Sequence, residues 1–299
     1  QIPAHRKTSS VEPCLLPRLR RRPPRPRFRN LSKIRLRPSL PSPPLRCLTR
    51  LPSPSHFDAA PVNLILFTPE DLSRPLPRTD RRAQHILEVL KRTPGDTFDA
   101  GFINGPRGKA TLTAVTPDSL TFTFTPTHTP PPAAPISVIV GLPRPQTARD
   151  ILRDLTTLGV ASIDFVTTEK TDPNYGRSTL WSSDEWRRHI IAGAEQAFDT
   201  QLPRITHTHT LSDLLATLPA SSTRLALDNY ESPRALGSLE NPSPPIVLAI
   251  GPERGWSARD RDTLRAARFN FVHLGARVLR AESACLAAVT LIRAKLGLM

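Results

Sequence analysis

From residue 136 onward, short continuous apolar runs alternate with segments in which apolar residues recur every three or four positions. Apolar runs between helical segments are typical of parallel strands that are covered on both faces. The predicted strands are 136–140, 162–166, 224–227, 246–250 and 271–274. The predicted helices are 147–158, 184–198, 257–268 and 281–296. We therefore expect an α/β domain with a parallel sheet over residues 135–299.

Between residues 61 and 130 the apolar positions alternate with polar ones over shorter stretches. "VNLILF", "TFDAGFING", "GKATLTAVT" and "DSLTFTFT" are strand candidates separated by turn residues. One helical pattern places Ile86, Leu87 and Leu90 on one face before Pro94-Gly95. This pattern predicts a small β-rich domain, a compact barrel around one helix. The proline-rich "THTPPPAAP" at 127–135 is predicted to be a stiff linker.

Residues 1–60 have a different composition. They hold 14 of the 41 Lys and Arg residues but only two of the 26 acidic ones, so most of the net charge of +15 lies in this leader. Its many prolines disfavour both helix and sheet, and we expect it to be disordered. An organelle transit peptide, a basic nucleic-acid-binding arm and a start assigned too far upstream all fit this composition. We expect a cytoplasmic protein, or an organellar one if the leader is a transit peptide.

Several classes of protein are not supported by the sequence. No run of about 18 apolar residues is present, so no membrane span is expected. Cys14, Cys47 and Cys285 are far apart, which argues against a metal centre or a disulfide framework, and Cys285 is predicted to pack in the core. His207 and His209 alternate without nearby carboxylates, and we expect them at the surface.

Two strand ends carry the candidate chemistry. Strand 246–250 stops at Gly-Pro-Glu-Arg-Gly, and Ser257 with Asp260 forms a capping box for the next helix. The loop is neither a dinucleotide-binding nor a triphosphate-binding motif. It is either a simple strand-to-helix turn or part of a ligand crevice, because such crevices lie beyond the carboxyl ends of parallel strands.

The second strand end is followed by two arginines. "FVHLG" leads to Arg277 and Arg280, next to an apolar segment, 284–292, that is predicted to be a helix buried on all sides. Arginines beside a buried helix need a partner. Glu282, Glu253 and an RNA phosphate are the candidates, and a structural salt bridge is an alternative to a ligand site.

Together the two segments, "IGPERGWSARD" and "FVHLGARVLRAESACLAA", resemble the closing motifs of the SPOUT methyltransferases. They most resemble the RsmE family, whose members methylate N3 of a uracil in 16S ribosomal RNA of the small subunit. "VGLPRPQTARDILRDLTTLGV" at 140–160 and "IIAGAEQAFDTQLPRI" at 190–205 are also similar to this family. The resemblance covers everything except the leader.

The resemblance implies a carboxy-terminal trefoil knot preceded by a PUA-like RNA-binding barrel, and a homodimer. The loops near 228–231, 250–256 and 274–283 would bind S-adenosylmethionine, with no metal. The implied cofactor-binding residues are Leu227, Leu248, Ile250, Gly251, Pro252, Glu253, Gly255, Leu274, Gly275, Leu279 and Ser283. The implied partner is ribosomal RNA or an assembled small subunit.

The chemistry of uracil N3 suggests roles for individual residues. An arginine near O2 or O4 would stabilise the developing anion, and Arg277 or Arg280 is the candidate. Glu282 is the weaker candidate for proton removal, and Glu253 is expected to hold the loop through the backbone. The expected RNA-contacting residues are Arg81, Arg82, Arg92 and Arg254.

The chain departs from the family pattern at five positions. Arg254 stands where a glycine is usual, and Arg153, Thr157, Ala197 and Asp199 also differ. These positions would touch substrate or the dimer partner. The departures leave two alternatives open: methylation of another RNA or of a ribose 2′-hydroxyl, and a catalytically inactive RNA-binding factor in ribosome assembly.

Overall fold

The structure is a computed structural model that describes residues 63–299. The leader, with the disorder predicted for it, lies outside the described residues. Within residues 63–299, no helix is both long and apolar enough to cross a membrane. The same residues contain no group of three or more His, Cys, Asp or Glu side chains placed to hold a metal ion.

The first part of the described chain forms a five-stranded sheet. Its strands are β1 (Ile65–Phe67), β2 (Leu76–Pro77), β3 (Thr97–Phe102), β4 (Arg107–Val115) and β5 (Ser119–His128). Their order in the sheet is β1-β3-β4-β5-β2, with β1 parallel to β3 and the other pairs antiparallel. A short 3-10 helix, Pro69–Leu72, follows β1. Helix α1 (Arg81–Gln84) continues as a π-helical segment, His85–Val89.

Aromatic side chains fill the space between this sheet and the helix. The ring of Phe67 lies 4.7 Å from that of Phe122 and 6.5 Å from that of Phe98, measured between centroids. Ile86 is fully buried against them, as the helical pattern predicted. The predicted β-rich segment with one helix packed against it is therefore confirmed.

The second sheet has seven strands, all parallel. They are β6 (Ala134–Gly141), β7 (Val160–Thr167), β8 (Arg204–Thr210), β9 (Thr223–Leu227), β10 (Arg234–Ala235), β11 (Ile246–Ile250) and β12 (Asn270–His273). Their order is β10-β12-β9-β11-β6-β7-β8. The predicted parallel sheet is confirmed, and β11 has the predicted bounds. The predicted linker is shorter than expected, because β5 ends and β6 begins inside it.

The helices that cover this sheet are α2 (Pro145–Thr157), α3 (Thr179–Ser182), α4 (Glu185–Gln196), α5 (Leu211–Ala216), α6 (Ala258–Ala266) and α7 (Ala281–Lys295). Short 3-10 turns lie at Tyr175–Arg177 and Leu236–Ser238. The main core contains the buried side chains of β6, β7, β9 and β11 with those of α2 and α7. The alternation of strands and helices in the sequence thus corresponds to a sheet with two covered faces.

Helix α7 corrects one expectation. Cys285, Ala288 and Ile292 are buried on one side, and burial raises the pKa of the Cys285 thiol. Leu286 and Leu291, however, are 42% and 37% exposed. The helix is apolar nearly all round, but in this chain only one face of it is covered.

One histidine on the edge strand β8 is more buried than predicted. The His207 ring stacks on Trp181 at 4.7 Å, and His207 is partly buried, not at the surface as predicted. Burial lowers the pKa of His207. His209 is exposed, as expected. Trp181 itself is buried against Phe165.

Helix α4 and the segment after it contact the five-stranded sheet through polar groups. A carboxylate oxygen of Glu195 accepts a hydrogen bond from the Leu66 backbone N–H at 3.1 Å. The Thr200 hydroxyl donates to the Gly105 carbonyl at 2.6 Å. Arg107 donates to the Phe198 carbonyl at 3.0 Å. These bonds tie the two sheets together within the unit that spans Asp58–Met299.

We expect the stability of the protein to depend on pH through the partly buried Glu195. Burial raises its pKa above the usual 4.5, so the folded protein keeps a proton that the unfolded chain has released. The free energy of unfolding should therefore fall as the pH rises from about 4.5 through the raised pKa. Glu195→Gln keeps an acceptor for Leu66 and should flatten this fall. Urea unfolding at several pH values measures it, with exposed Glu240→Gln as the control. A fall that is unchanged in Glu195→Gln would contradict this assignment.

Candidate functional site

The carboxyl ends of four neighbouring strands surround one cavity. β6, β11, β9 and β12 are consecutive in the sheet, and the chain after each of them contributes to a cavity of about 910 Å³. The contributing segments include Asn229-Tyr230 after β9, 250–255 after β11 and 277–280 after β12. The start of α2 closes the fourth side. This is the crevice position expected for a parallel α/β sheet.

The loop after β11 is a tight turn that depends on glycine. Gly255 has a φ of +66°, and its N–H donates to the Pro252 carbonyl at 2.7 Å. A side-chain carbon placed on Gly251 would lie 3.2 Å from Gly255 Cα, tighter than normal packing. The chain therefore folds back on itself between these two glycines and presents its backbone to the cavity.

Several hydrogen bonds hold this loop in place. Glu253 accepts a 2.9 Å bond from the Arg144 backbone N–H and lies 3.4 Å from the guanidinium of the same residue. The indole N–H of Trp256 donates to the Leu227 carbonyl at 3.0 Å. Lys170 Nζ donates to the carbonyls of Arg254 and Trp256 at 3.2 and 2.9 Å. The backbone-binding role predicted for Glu253 is confirmed, and the loop is fixed to β9 and to the start of α2.

Close packing also joins the loop to the end of β6. A side-chain carbon on Gly141 would meet the ring of Pro252 and lie 2.7 Å from its nitrogen. Gly141→Ala should therefore lower the free energy of unfolding by about 1–3 kcal/mol through overpacking. Denaturant unfolding measures this change. Gly237→Ala is the matched control, because no atom lies within 4 Å of the added carbon there. Equal stability of the two variants would contradict the packing argument.

The loop after β9 is organised by a buried carboxylate. Asp228 accepts hydrogen bonds from the backbone N–H groups of Tyr230 and Glu231, both at 2.7 Å. Its other oxygen accepts from Arg261 Nε at 2.8 Å. Tyr230 is 82% exposed at the rim of the cavity, and the Arg261 guanidinium lies 5.5 Å from its ring centre. The buried ion pair therefore positions an exposed aromatic ring at the cavity mouth.

The two arginines after β12 line the same cavity. Arg277 and Arg280 are exposed, and neither has a carboxylate within ion-pairing distance among residues 63–299. The structural salt bridge considered for them, with Glu282 or Glu253, is not formed, and both arginines lie at the solvent-exposed mouth. Glu282, in the first turn of α7, lines the cavity beside them. Arg277, Arg280 and Glu282 thus face a site with an apolar rear wall.

Most of the residues predicted for the site are brought together here. The predicted residues that line the cavity are Leu227, Ile250, Gly251, Pro252, Glu253, Arg254, Gly255, Leu274, Leu279, Arg277, Arg280 and Glu282. Leu248 does not line the cavity. It lies two residues before Ile250 on the same strand and is fully buried in the core. Gly275, with a φ of +107°, and exposed Ser283 lie next to the lining residues without belonging to them.

The sequence did not point to the start of α2. Arg144, Gln146, Thr147 and Asp150 line the cavity. The available signal was their place directly after the apolar run of β6, since residues after parallel strands collect at one edge of the sheet. Asp228 was missed as an organising residue, although a polar residue directly after an apolar strand is the same kind of signal.

Of the residues at which the chain departs from the family pattern, only Arg254 lines this cavity, and Arg153 donates to the cavity-lining Asp150 at 2.9 Å. Thr157 donates to the carbonyls of Arg153 and Gly193, both at 3.1 Å. Asp199 accepts from the backbone N–H of Thr200 at 2.6 Å, and Ala197 ends α4. These contacts give Thr157 and Asp199 local structural roles.

The predicted RNA-contacting residues of the small sheet differ in their surroundings. Arg81 and Arg92 are exposed. Arg82 is partly buried and binds Asp71 at 2.7 Å and Asp80 at 2.8 Å, and these two carboxylates raise its pKa. Because its donors are engaged inside the protein, Arg82 holds the small sheet together and is a poor candidate for phosphate binding.

Comparison with known proteins shows the family of this chain. Residues 129–293 match the family of the RNA methyltransferase domain. The chain is 35% identical over 248 residues to ribosomal RNA small subunit methyltransferase E of Treponema pallidum, covering 78% of this chain and 91% of that protein. It is 26% identical to ribosomal RNA small subunit methyltransferase E 1 of Borreliella burgdorferi, covering 79% and 99%. The chain belongs to the RsmE family.

Solved structures show the same fold as this RsmE-family chain. Ribosomal RNA small subunit methyltransferase E of Neisseria gonorrhoeae, bound to S-adenosyl methionine, aligns with a TM-score of 0.63 at 24% identity, covering 78% of this chain and 97% of that one. A probable rRNA-methyltransferase of Porphyromonas gingivalis aligns with a TM-score of 0.67 at 22% identity, covering 78% and 98%. The resemblance inferred from the two closing motifs is confirmed.

Proposed function

We propose that this chain transfers a methyl group from S-adenosylmethionine to N3 of a uridine in 16S ribosomal RNA of the small subunit. One observation carries the proposal: the loops after three adjacent strands enclose a single cavity whose mouth bears two exposed, unpaired arginines within residues 63–299. The relatives named ribosomal RNA small subunit methyltransferase E support the substrate. The neighbour bound to S-adenosyl methionine supports the cofactor.

The cavity has the chemistry that this cofactor needs. Leu227, Ile250, Leu274 and Leu279 provide apolar surface for the adenine, and the backbone of 251–255 provides polar groups close to the ligand. Glu253 and Asp150 contribute negative charge near a positively charged sulfonium. S-adenosylmethionine, when bound, supplies an electrophilic methyl group. The chain provides alignment of the two reactants and exclusion of water, and the proposal involves no metal ion.

The side chains at the cavity mouth act on the uracil. N3 is a poor nucleophile while it carries its proton, and Glu282, which lines the cavity, is the proposed acceptor of that proton. Arg277 or Arg280 stabilises the negative charge that develops on O2 or O4. The N3–carbon bond forms as the sulfur–methyl bond breaks, and S-adenosylhomocysteine leaves. Arginine suits this role because it stays charged at neutral pH.

We further propose that the three loops are threaded as a trefoil knot. The strand order supports this proposal, because the chain runs from β9 to the edge strand β10, crosses to β11 on the other side of β9, and returns to β12, which lies between β9 and β10. Threaded chains are rare departures from the usual rules of chain connection. The short glycine turns after β11 and β12 allow such close passage.

We propose that the five-stranded sheet is a PUA-like RNA-binding barrel. Exposed Arg81 and Arg92 support this role, because phosphate contacts give affinity without reading sequence.

We also propose a homodimer that covers the open side of α7. Leu286 and Leu291 are exposed there, and sedimentation velocity should give the mass of two chains. Since the proposed substrate is the ribosomal subunit, the proposed place of action is the cytoplasm.

The proposal is tested with small subunits that lack the modification. The chain is incubated with methyl-labelled S-adenosylmethionine and these subunits, and the RNA is digested to nucleosides. Labelled 3-methyluridine is the expected product. A 2′-O-methylated nucleoside or label in another RNA would replace the proposed acceptor. Absence of label, together with no binding of the cofactor by calorimetry, would instead indicate an inactive RNA-binding protein.

A further inference from the structure

A second cavity lies on the other side of the loop after β11. It has a volume of about 390 Å³, within the range of small-ligand sites. Arg144, Pro252, Glu253 and Arg254 line both cavities, so this part of the loop and the residue before α2 form the wall between them. An RNA strand that places one nucleotide in the main cavity can therefore place the adjacent nucleotide in the second cavity.

The wall between the cavities carries positive charge. Arg254 is exposed, and no carboxylate lies within ion-pairing distance of it among residues 63–299. Arg144 is 66% exposed and 3.4 Å from Glu253, a carboxylate already engaged with the Arg144 backbone. Lys170 uses its ammonium to hold the carbonyls of the loop. Two exposed guanidinium groups are thus available for an anion at the rim.

The opposite side of the second cavity contains an aromatic side chain. Tyr175 is partly buried and packs against the main core beside Leu142, which also lines this cavity. The Tyr175 backbone N–H donates to the Asp172 carbonyl at 3.0 Å, and the 3-10 turn Tyr175–Arg177 continues from it. Because its surroundings fix it, Tyr175 offers a ring surface that loses little freedom when a base stacks on it.

We propose that this second cavity binds the nucleotide next to the target uridine in the single-stranded RNA. Arg254 and Arg144 contact the intervening phosphodiester, and the base of the neighbouring nucleotide packs against Tyr175. Guanidinium groups with an aromatic ring are the combination that single-stranded RNA recognition uses. This inference rests on the proposed function, and it assigns a role to Arg254, which stands where the family usually has glycine.

The test uses full-length variants and small subunits lacking the modification. Arg254→Ala should raise KM for subunits and reduce the slope of log affinity against log salt by about one. Tyr175→Leu keeps the apolar packing but removes the ring, and KM should rise by at least about 5-fold. Tyr175→Phe should retain the wild-type KM. The dissociation constant for S-adenosylmethionine should stay unchanged in all three variants.

Arg177→Ala is the matched control, because Arg177 is exposed on the same segment and lines neither cavity. If Arg254→Ala and Tyr175→Leu behave like this control in KM and salt dependence, the inference is wrong. A weaker affinity for the cofactor in either variant would also overturn it, since the second cavity would then belong to the cofactor site. A wild-type chain that does not methylate subunits at all would contradict the proposed function. This result is distinguishable from the variant comparison, in which the wild-type chain is active.

Discussion

Replacing Arg277 and Arg280 together by alanine is expected to lower kcat for methyl transfer by about 100- to 1000-fold. Both side chains face the cavity mouth and are exposed there. Removing them takes away the two positive charges that the segment after β12 directs at the developing uracil anion. Because the apolar wall and the loop after β11 remain, S-adenosylmethionine should still bind with an affinity within about threefold of wild type. Single-turnover kinetics and calorimetry measure the two quantities separately.

The single variants then assign the role to one arginine. The variant that carries the loss should be partly rescued by lysine at the same position, because lysine restores the charge but not the planar fork. Arg259→Ala is the control, since Arg259 is equally exposed on α6 and does not line the cavity. A double variant that keeps kcat within tenfold of this control would remove both arginines from the mechanism.

The second large effect is expected at Asp228. Asp228→Ala removes the acceptor of two backbone N–H groups and of Arg261, whose side chain is only 11% exposed. Breaking this pair leaves the buried Arg261 with only the exposed Glu231, 3.6 Å away, as a counter-charge, and the free energy of unfolding should fall by about 3 kcal/mol. The loop that carries Tyr230 loses its anchor, so binding of S-adenosylmethionine should weaken as well.

Asp262→Ala provides the comparison for Asp228→Ala. Asp262 lies on α6 and forms a surface ion pair with Arg265 at 2.7 Å, where both side chains are well exposed. Such pairs contribute about 0–1 kcal/mol. Urea unfolding of the two variants separates a buried from an exposed partner. Similar losses in both would show that the Asp228–Arg261 pair does not organise the loop.

The parts of the site that could be predicted from sequence are those where a strand ends in a recognisable turn. The apolar run to Ile250, the glycines at 251 and 255 and the capping box at Ser257 are all local features, and each lies where it was expected. The error at Leu248 has a simple reason. It shares a strand face with Ile250, but two residues of strand place it about 7 Å deeper, inside the core.

The parts that could not be predicted depend on which strands are neighbours. The start of α2 lines the cavity because β6 pairs with β11, and these strands are more than one hundred residues apart in the chain. Similarly, the sequence suggested Arg82 as an RNA contact. Its ion pair with Asp71 could not be predicted, because the pair depends on how the 3-10 turn packs against α1. Local patterns carry no information about such pairings.

The central claim is that the loops after β9, β11 and β12 form one binding site for S-adenosylmethionine. A crystal structure of the chain with this cofactor tests that claim most directly. We expect the ligand to lie in the cavity between 250–255 and 274–280, in contact with Leu227 and with the threaded chain around it. A ligand bound elsewhere, or an unthreaded chain over residues 223–299, would contradict it.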